Sequence, residues 1–183
     1  MGPRPLSGVV VRPSASLLGV TMSVPGRYRL FWQEFARSRA SDPTPHFLEA
    51  FHFDDNESSA NELAALVLSG QKRAGAALLW VHEVESRRLP KPDDLSIVTD
   101  FAGDPLCVIE TQRVDILPFK EVSREFATTE GEGDGSLVHW RRAHEAFFGR
   151  ECRRIGRQPT QDMPVVCERF EVVYRAGAGA GDA

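Results

Sequence analysis

Apolar residues fall in patterns that divide the chain into a few recognisable elements. Tyr28, Phe31, Trp32 and Phe35 recur at three-and-four spacing, which predicts an amphipathic helix over 26–39. Asp42-Pro43-Thr44-Pro45 ends it. Ser59-Ala60-Asn61-Glu62 has the form of a capping box, followed by Leu63, Leu66 and Val67 as an inner face and by Gly70 as a stop. An extended run over 76–84 comes next, then strands over 95–99, 106–117 (bent or split) and 165–174. Pro90-Lys91-Pro92-Asp93-Asp94 and Gly103-Asp104-Pro105 supply turns between them. A long helix over 137–155 stands before the last strand, with Gly156 as its stop. Its apolar stripe is Leu137, Trp140, His144, Phe147, Phe148 and Ile155. Short strands among irregularly spaced helices predict an α+β fold with a small mixed barrel flanked by helices.

With 183 residues, the chain fits one domain, and 42% hydrophobic and 26% charged content is ordinary for a globular protein. No apolar run reaches the roughly 18 residues of a membrane span. Residues 1–21 carry two arginines, no acids and a short, broken apolar run, and read as a disordered leader. The glycine–alanine tail, 176–183, is also expected to be disordered, leaving 22–175 as the single domain. That domain has 20 basic and 25 acidic side chains, a net of −5, which excludes a generic nucleic-acid binder and gives no indication of DNA specificity. Cys107, Cys152 and Cys167 form no CxxC pair and read as buried thiols of a cytoplasmic protein. Neither they nor the five histidines have zinc-ligand spacing, so no metal or cofactor is expected.

Chemistry concentrates in two segments. Thr129-Glu130-Gly131-Glu132-Gly133-Asp134-Gly135-Ser136 sets three carboxylates on a glycine-rich backbone leading into the long helix. About sixty residues earlier, Ser69-Gly70-Gln71-Lys72-Arg73-Ala74-Gly75 holds Lys72, one of only three lysines. A lysine meeting a carboxylate in a cleft is an acid–base or phosphate-binding pair. The plainer readings are a solvated acidic loop and a cation placed favourably after a helix C-terminus. Residues 137–157 carry six arginines against Glu145 and Glu151, which makes either an outward charged face or a phosphate-contacting ridge. His144 lies in the apolar stripe and reads as a core histidine before a catalytic one. Trp80 and Trp140 read as core, although Trp140 stands near enough to the acidic loop to stack on a base. One of Glu110 and Thr111 is expected to face a barrel lumen, and Glu168 and Arg169 to pair across strands.

Taken together, these segments resemble the ASCH domain family, whose fold is a PUA-like β-barrel flanked by helices. The resemblance is carried by Leu68-Ser69-Gly70-Gln71-Lys72-Arg73-Ala74, Leu95-Ser96-Ile97-Val98, Cys107-Val108-Ile109-Glu110-Thr111, residues 126–134 and 137–152, and Met163-Pro164-Val165-Val166-Cys167-Glu168-Arg169-Phe170, covering about residues 45–174. The family signature is Gly-x-Lys-x-x-Thr at the turn after a helix. Gly70 and Lys72 match it, whereas Gly75 stands at the threonine position. The resemblance implies binding of RNA or a nucleoside or nucleotide ligand in a cleft, with Gly70, Lys72, Glu130, Glu132, Ser136 and Trp140 around it. Some members are amidohydrolases of acetylated cytidine and others are ribonucleases. By that resemblance Lys72 would be the base and Glu132 the acid, with Glu130 as substitute. Gly75 offers no hydroxyl, so Ser69, Thr128 or water would have to act as nucleophile. Three expectations follow: a nucleobase-binding domain, a hydrolase using Lys72 and Glu132, or a protein-interaction module with a vestigial pocket.

Overall fold

The computed structural model describes residues 23–177, so the leader expected at 1–21 and the tail from 178 onward lie outside the described residues. After a short 3-10 turn at Gly26–Tyr28 the chain forms α1 (Arg29–Arg37), β1 (Phe47–Phe51) and α2 (Glu57–Leu68). Next come β2 (Ala74–Leu78), α3 (Leu79–Val84), β3 (Leu95–Thr99) and β4 (Pro105–Pro118). The last elements are α4 (Arg124–Glu130), α5 (Leu137–Arg154) and β5 (Pro164–Arg175).

The five strands make one mixed sheet in the order β1-β3-β4-β5-β2. β1 runs parallel to β3, and the other neighbours are antiparallel. The expected barrel is not closed by hydrogen bonds: among the described residues β1 pairs only with β3, and β2 only with β5. β4 and β5 form the long central ribbon, with register shifts at Val108/Ile109 and Thr111/Arg113. Such bulges bend a strand and let its ends pack in different layers. Three apolar clusters result. α1 lays Trp32 and Phe35 on Phe47, Leu95 and Ile97. α2 lays Ala64 and Val67 on Val98, Ile109 and Phe170. The third joins α3, α4 and α5 through Val81, Phe126, Trp140 and Phe148 to Phe119, Val165 and Cys167.

Several sequence expectations need correction. Residues 76–84 are not one strand, because the chain leaves β2 after Leu78 and turns into α3. The β-branched Val81 and Val84 read as strand, but Val81 is needed as the inward side of a short helix. α2 starts two residues before the expected capping box: Asn56 is the cap, accepting the Ser59 amide at 2.9 Å. Its buried face is Ala60, Ala64 and Val67, with Leu63 and Leu66 half-buried. β1 and α4 were not expected, and Glu130 accordingly ends a helix instead of lying in a loop. All three cysteines are buried free thiols. Among the described residues no helix is long and apolar enough to cross a membrane.

Asn56 rather than Ser59 therefore caps α2. Asn56→Ala is expected to lower unfolding free energy by about 1 kcal/mol, and Ser59→Ala by less than about 0.5 kcal/mol. Urea denaturation of the two variants measures the difference.

Candidate functional site

Lys72 is positioned from both sides of the turn that contains it. Gly70 takes a left-handed φ of +78° after α2, and the Lys72 amide returns to the Leu66 carbonyl at 3.0 Å. The next residues lie along the end of α4: the Arg73 amide donates to the Thr129 carbonyl at 3.0 Å, and the Gln71 side-chain amide to the Gly131 carbonyl at 2.8 Å. Gly131 caps α4 at φ +68°, so close to the chain that a side chain there would strike the Gln71 carbonyl. This backbone clamp holds Lys72 against the two glutamates that flank Gly131.

The Lys72 ammonium is 1% exposed and donates to Glu130 Oε1 at 3.1 Å and to Glu132 Oε1 at 2.6 Å. It also lies 5.2 Å from the centroid of the Phe53 ring. Glu130 is fully enclosed; its second oxygen accepts the indole N–H of Trp140, and His144 Nε2 stands 3.6 Å from Oε1. Glu132 is the member that reaches solvent, with its side chain 19% exposed. Burial alone would drive Glu130 towards its neutral form, but Lys72, His144 and the donated hydrogen bonds outweigh it and bring the carboxyl down to about 2. Burial would likewise favour a neutral lysine, yet the two carboxylates hold the Lys72 value above its ordinary one. Lys72 is thus a fixed ammonium at neutral pH.

The wall opposite α4 comes from the loop between β1 and α2, which sequence reasoning did not single out. Arg150 of α5 ties this loop down through Asp55 at 3.1 Å and Asp54 at 3.5 Å, and Phe53 packs edge-on against Phe51. Nothing local marks Phe53, because its partner Lys72 and its anchor Arg150 are distant in sequence.

The structure brings Gly70, Lys72, Glu130, Glu132 and Trp140 together, but Trp140 is 2% exposed and acts as a donor to Glu130 and a stacking surface for His144 at 4.1 Å. Ser136 is instead the cap of α5, accepting the His139 amide at 3.1 Å. Ser69 and Thr128 direct their hydroxyls at the carbonyls of Leu66 and Gly135. Gly75 lies in β2 opposite Glu168, and a Cβ there would meet only the Phe170 ring at 3.9 Å. Thr111 is buried and donates to Glu168 at 2.6 Å, while Arg169 bridges Asp115 and Glu125. The arginines on and just after α5 are largely engaged: Arg141 with backbone carbonyls, Arg150 with the loop, Arg154 with Glu85 and Glu151, and Arg157 with Glu83 and the Trp80 ring. A continuous phosphate-binding ridge is therefore not available. Among the described residues no group of histidine, cysteine and carboxylate side chains could hold a metal ion.

Known proteins give the same architecture. The sequence model of the ASCH domain matches residues 49–174. The structure is similar to that of an ASCH domain from Lactobacillus crispatus JV V101, at 36% identity and a TM-score of 0.77, over 82% of this chain and 96% of the other. It is also similar to a protein from Enterococcus faecalis V583, at 31% identity and a TM-score of 0.71, over 85% of this chain and 96% of the other. No curated protein matches the sequence.

Two outcomes follow from this geometry. Glu130 has a depressed value, so its contribution is complete above its unfolded value of about 4.3 and is lost as the pH falls towards about 2. Denaturant titrations across that window should show falling stability, and Glu130→Gln should remove that component. Gly131→Ala should cost about 1–3 kcal/mol in the same assay, because it puts a side chain at positive φ against the Gln71 carbonyl.

Proposed function

This chain belongs to the ASCH domain family, and from that premise we propose that it binds a nucleobase-containing ligand, a nucleoside or an RNA end, over Glu132 and Phe53. The open sheet then serves as this family's PUA-like scaffold. One observation carries the reading: a partly exposed carboxylate, Glu132, is held in place by an ammonium that is itself buried. Fixing an acceptor before the ligand arrives reduces the ordering cost of binding. The free oxygen of Glu132 suits the N–H donors of a base edge, and the adjacent Phe53 ring suits its π-face.

A binder fits this site better than the hydrolase suggested by the family's amidohydrolases. A general base must be able to accept a proton, and Lys72 is kept charged by two carboxylates. Neither Ser69 nor Thr128 replaces the absent threonine, since both hydroxyls face backbone carbonyls. Phosphate contact by Lys72 also loses support, because its ammonium is enclosed and already meets both glutamates. Recognition of the base, not of the backbone, is the reading that remains.

Thermal-shift measurements with cytidine, acetylated cytidine, adenosine and short RNAs test this. A ligand at a hundred times its Kd should stabilise the protein by about 2.7 kcal/mol. The shift should disappear in Glu132→Gln and in Lys72→Ala. A panel that shifts nothing, or a shift that survives Glu132→Gln, would sink the proposal. Gly75→Thr is expected to fold with a stability change under about 1 kcal/mol, since the β2 position has room and threonine favours strands. Hydrolysis of acetylated cytidine by the unchanged protein would overturn the binder reading. Hydrolysis seen only in Gly75→Thr would trace the lost activity to that hydroxyl.

A further inference from the structure

His144 is a charged-capable group of the buried cluster with no part in the reading above. It sits one helical turn after Trp140 on α5, is 7% exposed, and stacks on the Trp140 indole at 4.1 Å with the planes 16° apart. The edge of the Phe148 ring approaches it from the same helix at 5.3 Å. Both ring nitrogens are directed at oxygens. Nδ1 lies 3.0 Å from the Trp140 carbonyl, and Nε2 lies 3.6 Å from Glu130 Oε1.

Neither oxygen has a proton to give: a carbonyl only accepts, and so does an ionised carboxylate. A neutral imidazole carries a single N–H, so either tautomer would point a lone pair at one of those oxygens. In a low-dielectric interior such a contact is strongly unfavourable. The imidazolium donates one N–H to the Trp140 carbonyl and turns its second N–H and its charge towards Glu130, 3.6 Å away.

We propose that His144 is a standing imidazolium across the neutral pH range and the positioning residue of this site. It anchors Glu130 from the α5 side while Lys72 anchors it from the other. The charged groups facing it are Glu130 at the end of α4, Glu132 on the following loop and Lys72 ahead of β2. With the imidazolium included, two cations balance two carboxylates. A neutral His144 leaves one carboxylate in excess in an enclosed site, and Glu130 then competes with Glu132 for a single ammonium. Burial disfavours the cation, but attraction from Glu130 outweighs it and raises the His144 value above that of an ordinary histidine. A raised value means that the stabilisation is full below about pH 6.5 and is lost as the pH rises through the folded-state value. The consequence for ligand affinity rests on the nucleobase reading; the protonation state does not.

Long-range 1H–15N spectra of the full 15N-labelled chain read both ring nitrogens directly, with the His144 signals assigned by their absence in His144→Gln. Two protonated nitrogens at about pH 7, with half-titration above about pH 6.5, are expected. Glu130→Gln keeps an acceptor oxygen without the charge and should bring the midpoint down. A bare ring nitrogen at about pH 6.5 in the unaltered protein overturns the proposal, whether or not the variant folds. An unchanged midpoint in a folded Glu130→Gln overturns it too. Melting temperature should fall from about pH 6.5 upward in the unaltered protein and lose that component in His144→Gln; equal pH dependence in both argues against the proposal. Failure here leaves the thermal-shift test of ligand binding untouched, and a ligand-free result there leaves the spectra unchanged.

Discussion

Burying the Lys72 ammonium constrains the structure around it more than any other single feature. An ion taken out of water survives only where opposite charge and hydrogen-bond acceptors meet it, and removing one partner of such a pair typically costs about 3–5 kcal/mol. Glu130 alone would suffice for charge, but placing it requires α4 to end at that residue and the chain to reverse at once. Gly131 makes that reversal, and its lack of a side chain lets the segment 71–73 lie against 129–131. The ion pair and the backbone clamp thus specify each other. Either one without the other leaves polar groups enclosed and unsatisfied.

The same demand explains where the cluster sits. Glu130, Trp140 and His144 belong to the layer formed by α4 and α5, whereas Phe53 leans on the end of β1 and the α2 layer. The ammonium lies at the seam between two apolar layers, near the open edge of the sheet at β2. A seam is where a polar group can be enclosed without displacing core side chains. It also leaves one member, Glu132, partly exposed while the rest stay enclosed. Arg150 contributes from the outside: it holds Asp54 and Asp55, the residues that follow Phe53 in the loop.

What was legible in the sequence followed local periodicity. The helix of Trp32 and Phe35, the strand Leu95–Thr99 and the long helix after Ser136 all appear close to their expected places. β1 escaped notice because its only partner is a parallel strand more than forty residues later, and parallel pairing leaves no hairpin signal. α4 escaped because seven residues hold too little periodicity, and Thr128-Thr129 argues against a helix. The segment over 76–84 misled through its valines. Composition brought Lys72 and the acidic stretch forward, but their pairing rested on family resemblance, since no spacing rule could show that they touch. His144 had a usable signal, since it falls one turn from Trp140 on the same helical face. It read as core because a sequence does not show that a carboxylate sits beneath that face.

The neutralised arginines on and just after α5 have a kinetic consequence. With Arg150, Arg154 and Arg157 bound to acids of this same chain, and a net formal charge of −4, the described residues present no extended positive field to draw in a polyanion. Encounters with nucleic acid then proceed at the unsteered rate, about 10⁵–10⁶ M⁻¹s⁻¹, and respond little to ionic strength. If a base is the ligand, as proposed, selectivity is exercised after contact, through how long it stays, and not through which molecules arrive. Under the proposed nucleobase reading, discrimination would rest on residence time, which favours small or locally single-stranded partners over long duplex backbones.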